Sequence, residues 1–120
     1  MTNTQTFLDA TKANIQAFIL TKSTYMAAGT STTVATAGQT SLVSEVHREA
    51  IQESTTGVSD VVVSLFLGST DANTYDLAEV GAFDASSDGN MMARGTFTPV
   101  TKDNTKDIWI DIEEQIDVTQ

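Results

Sequence analysis

The sequence contains no cysteine and only one histidine, His47. Without cysteine, neither a disulfide framework nor a thiolate metal site is possible. A catalytic triad, a zinc site or a histidine-based acid–base pair would have to use His47 alone. Its position between Val46 and Arg48 on a predicted strand favours a structural or surface role. We therefore predict no cofactor and no metal site.

Basic residues are also scarce: six Lys and Arg stand against sixteen Asp and Glu, which gives a formal net charge of −10. Nucleic acid and anionic lipid both attract clustered Lys and Arg. The composition therefore predicts neither nucleic acid nor a membrane as a partner. Two explanations of the acidity stay open. The chain is an ordinary acidic protein, or it is halophilic, since concentrated salt screens the repulsion among carboxylates.

Long apolar runs are missing as well. No stretch approaches the roughly 18–20 apolar residues that a membrane span needs, and residues 1–4 lack the basic start and apolar run of a signal peptide. A length of 120 residues corresponds to about one domain. We therefore expect a soluble single domain over residues 1–120, with a helix at 4–20 and a β-domain at 23–120.

The predicted helix at residues 4–20 is amphipathic. The residues of its apolar stripe are Phe7, Leu8, Thr11, Ile15, Phe18 and Ile19. Thr6 and Asp9 approximate a capping box at its start. The stripe predicts a helix that packs on a sheet or, alternatively, docks on a partner subunit. Phe7, Ile15 and Phe18 are therefore candidate interface residues.

Short strands separated by turns fill the rest of the chain. They are predicted at residues 25–28, 46–54, 61–67, 77–83, 91–97 and 108–118. The run at 61–67 is apolar on both faces and is expected to be the most buried strand. Pro99 is expected to end the strand before it. The predicted fold class is mainly β: an antiparallel β-sandwich or barrel-like sheet of about six strands with one N-terminal α-helix.

Isolated charges inside apolar strands predict two structural ion pairs. Glu79 and Arg94 lie on neighbouring strands of a predicted hairpin, whose turn at residues 84–90 contains Asp-Gly-Asn. Glu45 and Arg48 form the second pair. Buried charges need partners, and a catalytic carboxylate pair would need two acids without arginine partners. Acidic turns such as 84–90 offer oxygen atoms to calcium but do not fit the spacing of an EF-hand loop.

The last predicted strand carries one further candidate. Ile108, Ile110 and Ile112 share one parity, whereas Trp109 shares the other with acidic residues. Trp109 is therefore a candidate interface residue on a wet face, since aromatic residues are enriched at binding centres. The alternative is a tryptophan that the N-terminal helix covers.

Several short segments occur in a characteristic order. They are Tyr25-Met26-Ala27-Ala28-Gly29-Thr30, Gln39-Thr40-Ser41-Leu42 with Glu45-Val46 and Arg48, Ala78-Glu79-Val80-Gly81-Ala82-Phe83-Asp84, Met92-Ala93-Arg94, and Phe97-Thr98-Pro99-Val100-Thr101-Lys102. The ordered set covers nearly the whole chain and resembles small virion proteins of tailed viruses and the tail-collar, or attachment, region of their tail fibres. The chain departs from this pattern at Ser31, where a glycine-like residue is usual, and at Val80 and Ala82, which replace bulkier Ile and Leu.

The resemblance implies a non-enzymatic virion structural protein, an assembly or attachment module of the tail, baseplate or fibre base. Its partners would be other virion proteins and copies of itself in a homo-oligomer, and its location the virion. The nearest alternative is a capsid-surface decoration or turret protein. An alternative of another class is a carbohydrate-binding module that uses Trp109 and Tyr75.

Overall fold

The computed structural model describes residues 9–115, which form one helix and seven strands. The elements are α1 (Asp9–Lys22), β1 (Tyr25–Gly29), β2 (Glu45–Ala50), β3 (Glu53–Thr56), β4 (Asp60–Leu67), β5 (Asp76–Phe83), β6 (Met91–Thr101) and β7 (Ile108–Gln115). All strand pairings are antiparallel. They make a four-stranded sheet in the order β2-β1-β5-β6 and a three-stranded sheet in the order β3-β4-β7. The structure confirms the mainly β fold, with two separate sheets as in a sandwich.

The hydrophobic core lies between the two sheets. The three-stranded sheet contributes Val61, Val63, Leu65, Leu67 and Ile110, and the four-stranded sheet contributes Met26, Ala28, Leu77, Val80 and Ala82. Each Val, Leu, Ile or Met side chain that is fully buried in this way contributes about 1.5–3 kcal/mol to folding. The alternation on β7 is as predicted: Ile108, Ile110 and Ile112 face the core, and Trp109 and Asp111 are exposed.

Helix α1 packs at one end of the three-stranded sheet. The side-chain amide of Gln16 is buried and donates to the carbonyls of Gly57 (2.8 Å) and Asp60 (3.0 Å). Ile19 and Leu20 pack against the core. With Gln16 facing inward, Phe18 points away and is 57% exposed, and Thr11 is exposed too, so neither packs on the sheet as the stripe predicted. The role of Phe18 at an interface stays a prediction.

The predicted bounds of the helix differ from those of α1. The helix continues to Lys22 instead of ending at residue 20. Helix ends commonly differ by one or two residues. Residues 4–8, which include Thr6 of the predicted capping box and Phe7 of the predicted interface, lie outside the described residues. So do Ile116 and Val118 of the last predicted strand.

The single strand predicted at residues 46–54 is in fact two strands in different sheets. Between β2 and β3 the chain crosses from one sheet to the other. The amide of Ile51 donates to the carbonyl of Thr24 (3.1 Å), next to β1 of the four-stranded sheet. The amide of Gln52 donates to the carbonyl of Ser64 (2.9 Å) on β4 of the three-stranded sheet. Backbone hydrogen bonds thus continue through the crossing, the first to one sheet and the second to the other.

Strand β5 is the most completely buried strand. The prediction that the strand at residues 61–67 would be the most buried was therefore wrong. All of β5 except Asp76 is buried. One face meets the core, and the other meets a small second cluster in which Leu42 covers Ala27 and Phe83. The side chain of Leu42 reaches β5 because Gly81 has no Cβ: an added one would lie 2.9 Å from Leu42 Cδ2.

Pro99 does not end its strand. β6 continues to Thr101, and Val100 and Thr101 pair with Leu77 and Asp76. The pairing shifts in register between Leu77 and Glu79. Because β6 is an edge strand of its sheet, a missing N–H on its open side removes no ladder hydrogen bond, and proline is tolerated there.

Candidate functional site

The carboxylate of Glu79 is the centre of the most connected polar cluster among the described residues. Both Glu79 and Arg94 are buried, and the predicted ion pair is present: Arg94 Nη2 and Nε donate to Glu79 Oε1 at 2.9 and 3.1 Å. Three backbone amides also donate to the carboxylate, Val43 to Oε1 (3.0 Å) and Ser44 and Ser31 to Oε2 (2.8 and 3.2 Å). The charge of Glu79 is therefore fully compensated by hydrogen bonds.

The three amide donors belong to one segment, residues 30–44, which we term the covering loop because it lies over the outer face of β5. Arg94 holds the same loop with its third nitrogen, since Nη1 donates to the carbonyl of Thr33 (2.8 Å) and to Gln39 Oε1 (3.2 Å). Residues 32–38, between Ser31 and Gln39, are exposed, although the carbonyl of Thr33 in this range accepts from Arg94. One buried ion pair thus fixes both arms of a loop and leaves its tip in solvent.

The protonation state of Glu79 follows from this geometry. Burial raises the pKa of Glu79, but the hydrogen bonds from Val43, Ser44, Arg94 and Ser31 outweigh that effect and hold the pKa below its ordinary value. The side chain is therefore ionised at neutral pH. A buried general acid needs the opposite shift, with a raised pKa that keeps the proton on the carboxyl group.

The second predicted ion pair is also present, at one edge of the four-stranded sheet. Arg48 binds Glu45 through two hydrogen bonds, from Nη2 to Oε1 (2.7 Å) and from Nε to Oε2 (3.0 Å). Its Nη1 donates to the carbonyls of Ala85 (3.0 Å) and Asp88 (2.9 Å), and its Cζ lies 3.7 Å from the ring centroid of Phe83. Arg48 thereby attaches the β5–β6 turn to strand β2.

The β5–β6 turn is closed by its own residues. Asp84 accepts hydrogen bonds from the backbone amide (2.8 Å) and the side-chain amide (2.9 Å) of Asn90. These bonds hold the pKa of Asp84 below its ordinary value. Asp88 and Gly89 have positive φ angles of 51° and 72°, the backbone conformation that the Asp-Gly sequence predicts. Both oxygens of Asp84 therefore have protein donors.

Sequence reasoning missed that Lys102, after the β6 strand, is fully buried. Its Nζ donates to Asn73 Oδ1 (2.9 Å) and to the carbonyl of Asp103 (2.9 Å). Its backbone forms two further hydrogen bonds, with the amide of Thr74 and the carbonyl of Tyr75. The one sequence feature that could have drawn attention to Lys102 was the Pro-x-x-Lys spacing, Pro99 to Lys102. Lys102 joins the loop after β4 to the end of β6.

The exposed aromatic side chains lie on other parts of the surface. Trp109 is 53% exposed and packs on Phe66 of the neighbouring strand, with ring centroids 4.9 Å apart. Helix α1 does not cover it. Tyr75 is 42% exposed, and Ile15 of α1 is half-buried.

A groove of about 320 Å³ adjoins Trp109. It lies between β6 and β7, the strands that end the two sheets on this side. Phe97, Val100 and Trp109 line it, together with the core residues Val80 and Ile110. We term it the edge groove.

His47 has partners that the sequence did not predict. Nε2 of His47 lies 3.6 Å from Oε2 of Glu49, and Asp71 completes a cluster of possible ligand atoms within 4.8 Å of one another. The spacing of two residues between His47 and Glu49 on a strand was a signal for a shared face. The contribution of Asp71 depends on how the loop after β4 folds back, which local patterns do not encode.

Five of the six charged residues in the ordered segments donate to or accept from a loop or turn: Arg48, Glu79, Asp84, Arg94 and Lys102. The sixth, Glu45, binds Arg48 on the same strand. This arrangement holds loops in one conformation. It provides rigidity and a presented surface, because the charges are already engaged by the chain itself.

Within residues 9–115, no helix combines the length and the apolar character that crossing a membrane would require. Comparison of the chain with protein-family models, curated proteins and solved structures finds no match.

Proposed function

We propose that this chain is a virion structural protein of a tailed virus, and that it acts as an assembly or attachment module in the tail, baseplate or fibre base. One observation carries the proposal. The segments on which the resemblance rests are far apart in sequence, yet their charged residues make the contacts that fix the covering loop and the β5–β6 turn. The segments that carry the resemblance therefore supply the residues that hold the covering loop and the β5–β6 turn in place.

An attachment module needs a rigid base that presents loops to a neighbouring protein. Here the base is the pair of packed sheets, and the tip of the covering loop, residues 32–38, is exposed. Glu79 and Arg94 hold the loop at both ends. Fixing the loop before contact lowers the entropic cost of binding, which favours stable assembly.

The same contacts favour a non-enzymatic role. Glu79 has an arginine partner and a lowered pKa, and Glu45 is paired with Arg48. Catalytic carboxylate pairs instead keep two acids free of such partners, with pKa values pushed apart. We infer that these carboxylates serve the structure.

The surface offers places for contact with other virion proteins or with copies of the same chain. Phe18 and Trp109 are exposed large apolar side chains, and Trp109 borders the edge groove. Aromatic residues at the centre of a patch supply much of the binding energy in protein interfaces. We therefore infer a homo-oligomer or a ring contact in which these side chains become covered.

A carbohydrate-binding role is the second candidate, and the exposure of Trp109 is the observation that favours it. Its ring is held against Phe66 and faces solvent beside Asp111. Sugar rings stack on such tryptophans. Binding on a glycan array that is lost in Trp109→Ala would support this function, whereas an array without signal would remove it.

The proposed function is tested on virus particles from the source of the sequence. Antibodies raised against the recombinant chain are applied to purified particles for immunogold electron microscopy, and the particle proteins are identified by mass spectrometry. We expect the chain in the particles and label on the tail. Label on the head shell would establish the capsid-decoration alternative, and absence from the particles would overturn the proposal.

A further inference from the structure

His47 and Glu49 project from the same face of β2, at the edge of the four-stranded sheet. They pair with Ala28 and Met26 of β1, two core residues, so both side chains lie on the side of the sheet that faces the core. Asp71 approaches from the loop between β4 and β5. One ligand atom from each of the three side chains lies within 4.8 Å of the other two.

Two atoms of this cluster lack the partners that buried polar atoms normally have. Nε2 of His47 and Oε1 of Glu49 are shielded from solvent and make no hydrogen bond. Native structures leave few such atoms, and each one calls for an explanation such as a bound ion. The 3.6 Å between His47 Nε2 and Glu49 Oε2 is too long for a good hydrogen bond.

The distance of 3.6 Å between His47 Nε2 and Glu49 Oε2 is close to the separation of two atoms that bind the same cation. Zinc binds histidine nitrogen at about 2.0–2.1 Å and carboxylate oxygen at about 2.0–2.2 Å, so tetrahedral ligand atoms lie about 3.4 Å apart. Small side-chain rotations would bring the three ligand atoms to that separation. Asp71 is already positioned, because its Oδ2 accepts a hydrogen bond from the amide of Gly68 (2.9 Å).

We propose that His47, Glu49 and Asp71 bind one divalent transition-metal cation, with Zn²⁺ as the best match and water completing its coordination. An imidazole with two carboxylates suits Zn²⁺ and related ions, whereas Ca²⁺ and Mg²⁺ prefer oxygen ligands alone. The ion is structural: it ties edge strand β2 to the loop that leaves β4 of the opposite sheet. This site is separate from the contacts that carry the proposed function.

Titration of the untagged, EDTA-treated full chain with ZnCl₂ tests the proposal, with calorimetry and NMR as readouts. Because the chain has a single histidine, its ring signals belong to His47 without ambiguity. We expect one Zn²⁺ per chain and a large shift of the Nε2 resonance. We also expect much weaker binding of CaCl₂ and MgCl₂. If the ring signals of His47 do not move at saturating Zn²⁺, the proposal is overturned.

Matched variants separate this site from general binding to an acidic surface. His47→Gln and Asp71→Asn should each weaken Zn²⁺ binding by more than about tenfold, because the loss of even a residue that only supports a ligand costs about 10- to 100-fold in metal affinity. Asp111→Asn, which removes one exposed acid from the wet face of β7, should leave the affinity unchanged. Equal binding by His47→Gln and Asp111→Asn would overturn the proposal. Circular dichroism in EDTA verifies the fold of each variant. If a variant does not fold, the shift of the His47 ring signals in the unmodified chain still tests the proposal.

Discussion

Glu79 joins the irregular covering loop to the paired strands β5 and β6. Its carboxylate accepts from both ends of the covering loop and from the buried guanidinium of Arg94. An isolated buried charge is costly, but one with several donors is compensated. The prediction that Glu79 and Arg94 would pair was possible because both charges lie in strands of small and apolar residues. The amides that complete the cluster could not be foreseen, because they belong to an irregular loop.

Glu79→Gln should lower the free energy of unfolding by about 3–5 kcal/mol, because it leaves the guanidinium of Arg94 buried without its counter-charge. Urea denaturation at neutral pH measures the effect. Glu45→Gln is the matched control: its pair with Arg48 is partly exposed, so the loss should stay below about 1 kcal/mol. Equal losses in the two variants would contradict the central role of Glu79.

The stabilisation by Glu79 should also depend on pH. Because the folded state lowers the pKa of Glu79, its contribution is present above the unfolded pKa of about 4.3 and is lost as the pH falls through the lower, folded value. The difference between Glu79→Gln and the unmodified chain should therefore shrink in acid. A difference that stays constant across this range would show that ionisation is not the cause.

Glu114 on β7 presents the opposite case. It pairs with Val61, so its side chain faces the core side of the sheet, and both carboxylate oxygens lie 3.2 Å from Ser23 Oγ. Burial raises the pKa of Glu114, and the hydrogen bond from Ser23 only partly offsets this. The folded state therefore favours the protonated form, and stability falls as the pH rises from the unfolded pKa through the folded pKa.

Glu114→Gln should accordingly raise the thermal unfolding midpoint at neutral pH, because the amide stays neutral and still accepts from Ser23. Glu113→Gln, on the exposed face of the same strand, should change the midpoint little. Differential scanning calorimetry near pH 7 and below pH 4 measures both. The gain should vanish in acid, and a loss of stability at pH 7 would contradict this account of Glu114.

At the scale of elements, the predictions succeeded where the signal was local. The alternation on β7 and the Asp-Gly turn of the β5–β6 hairpin each require only neighbouring residues. The crossing between β2 and β3 was missed because no glycine or proline marks it, and the partners of Ile51 and Gln52 are distant in sequence. The burial of β5 was missed for the same reason, since a loop covers its outer face.

Gly29, at the end of β1, provides the space in which the covering loop meets Glu79. A Cβ on this residue would lie 2.5 Å from Glu79 Oε2, a distance that forces the buried carboxylate or the loop to move. Gly29→Ala should therefore cost about 1–3 kcal/mol, as overpacking of an interior commonly does. Urea denaturation measures the loss.

Gly95→Ala is the matched control for this prediction. Gly95 lies on β6 with open space where a Cβ would be added. Its replacement should change stability by less than about 0.5 kcal/mol. If Gly29→Ala and Gly95→Ala change the free energy of unfolding equally, close packing of the loop on Glu79 is not the reason for glycine at position 29.

At the scale of the whole molecule, charge and exposed apolar groups act against each other. The net charge of −10 keeps separate copies apart at low salt, whereas Phe18, Trp109 and the edge groove favour association. Salt screens the repulsion within about 10 Å at 0.1 M and within shorter distances at higher concentrations. Association should therefore strengthen as the salt concentration rises. Composition predicted the charge, but only the folded chain shows which aromatic side chains face solvent.

Sedimentation equilibrium of the full chain in low and in high salt tests most directly the claim that this protein functions by assembling. We predict one defined oligomer, favoured by high salt and weakened in Trp109→Ala, which removes the exposed ring without touching the core. A chain that stays strictly monomeric under both conditions would contradict the assembly role.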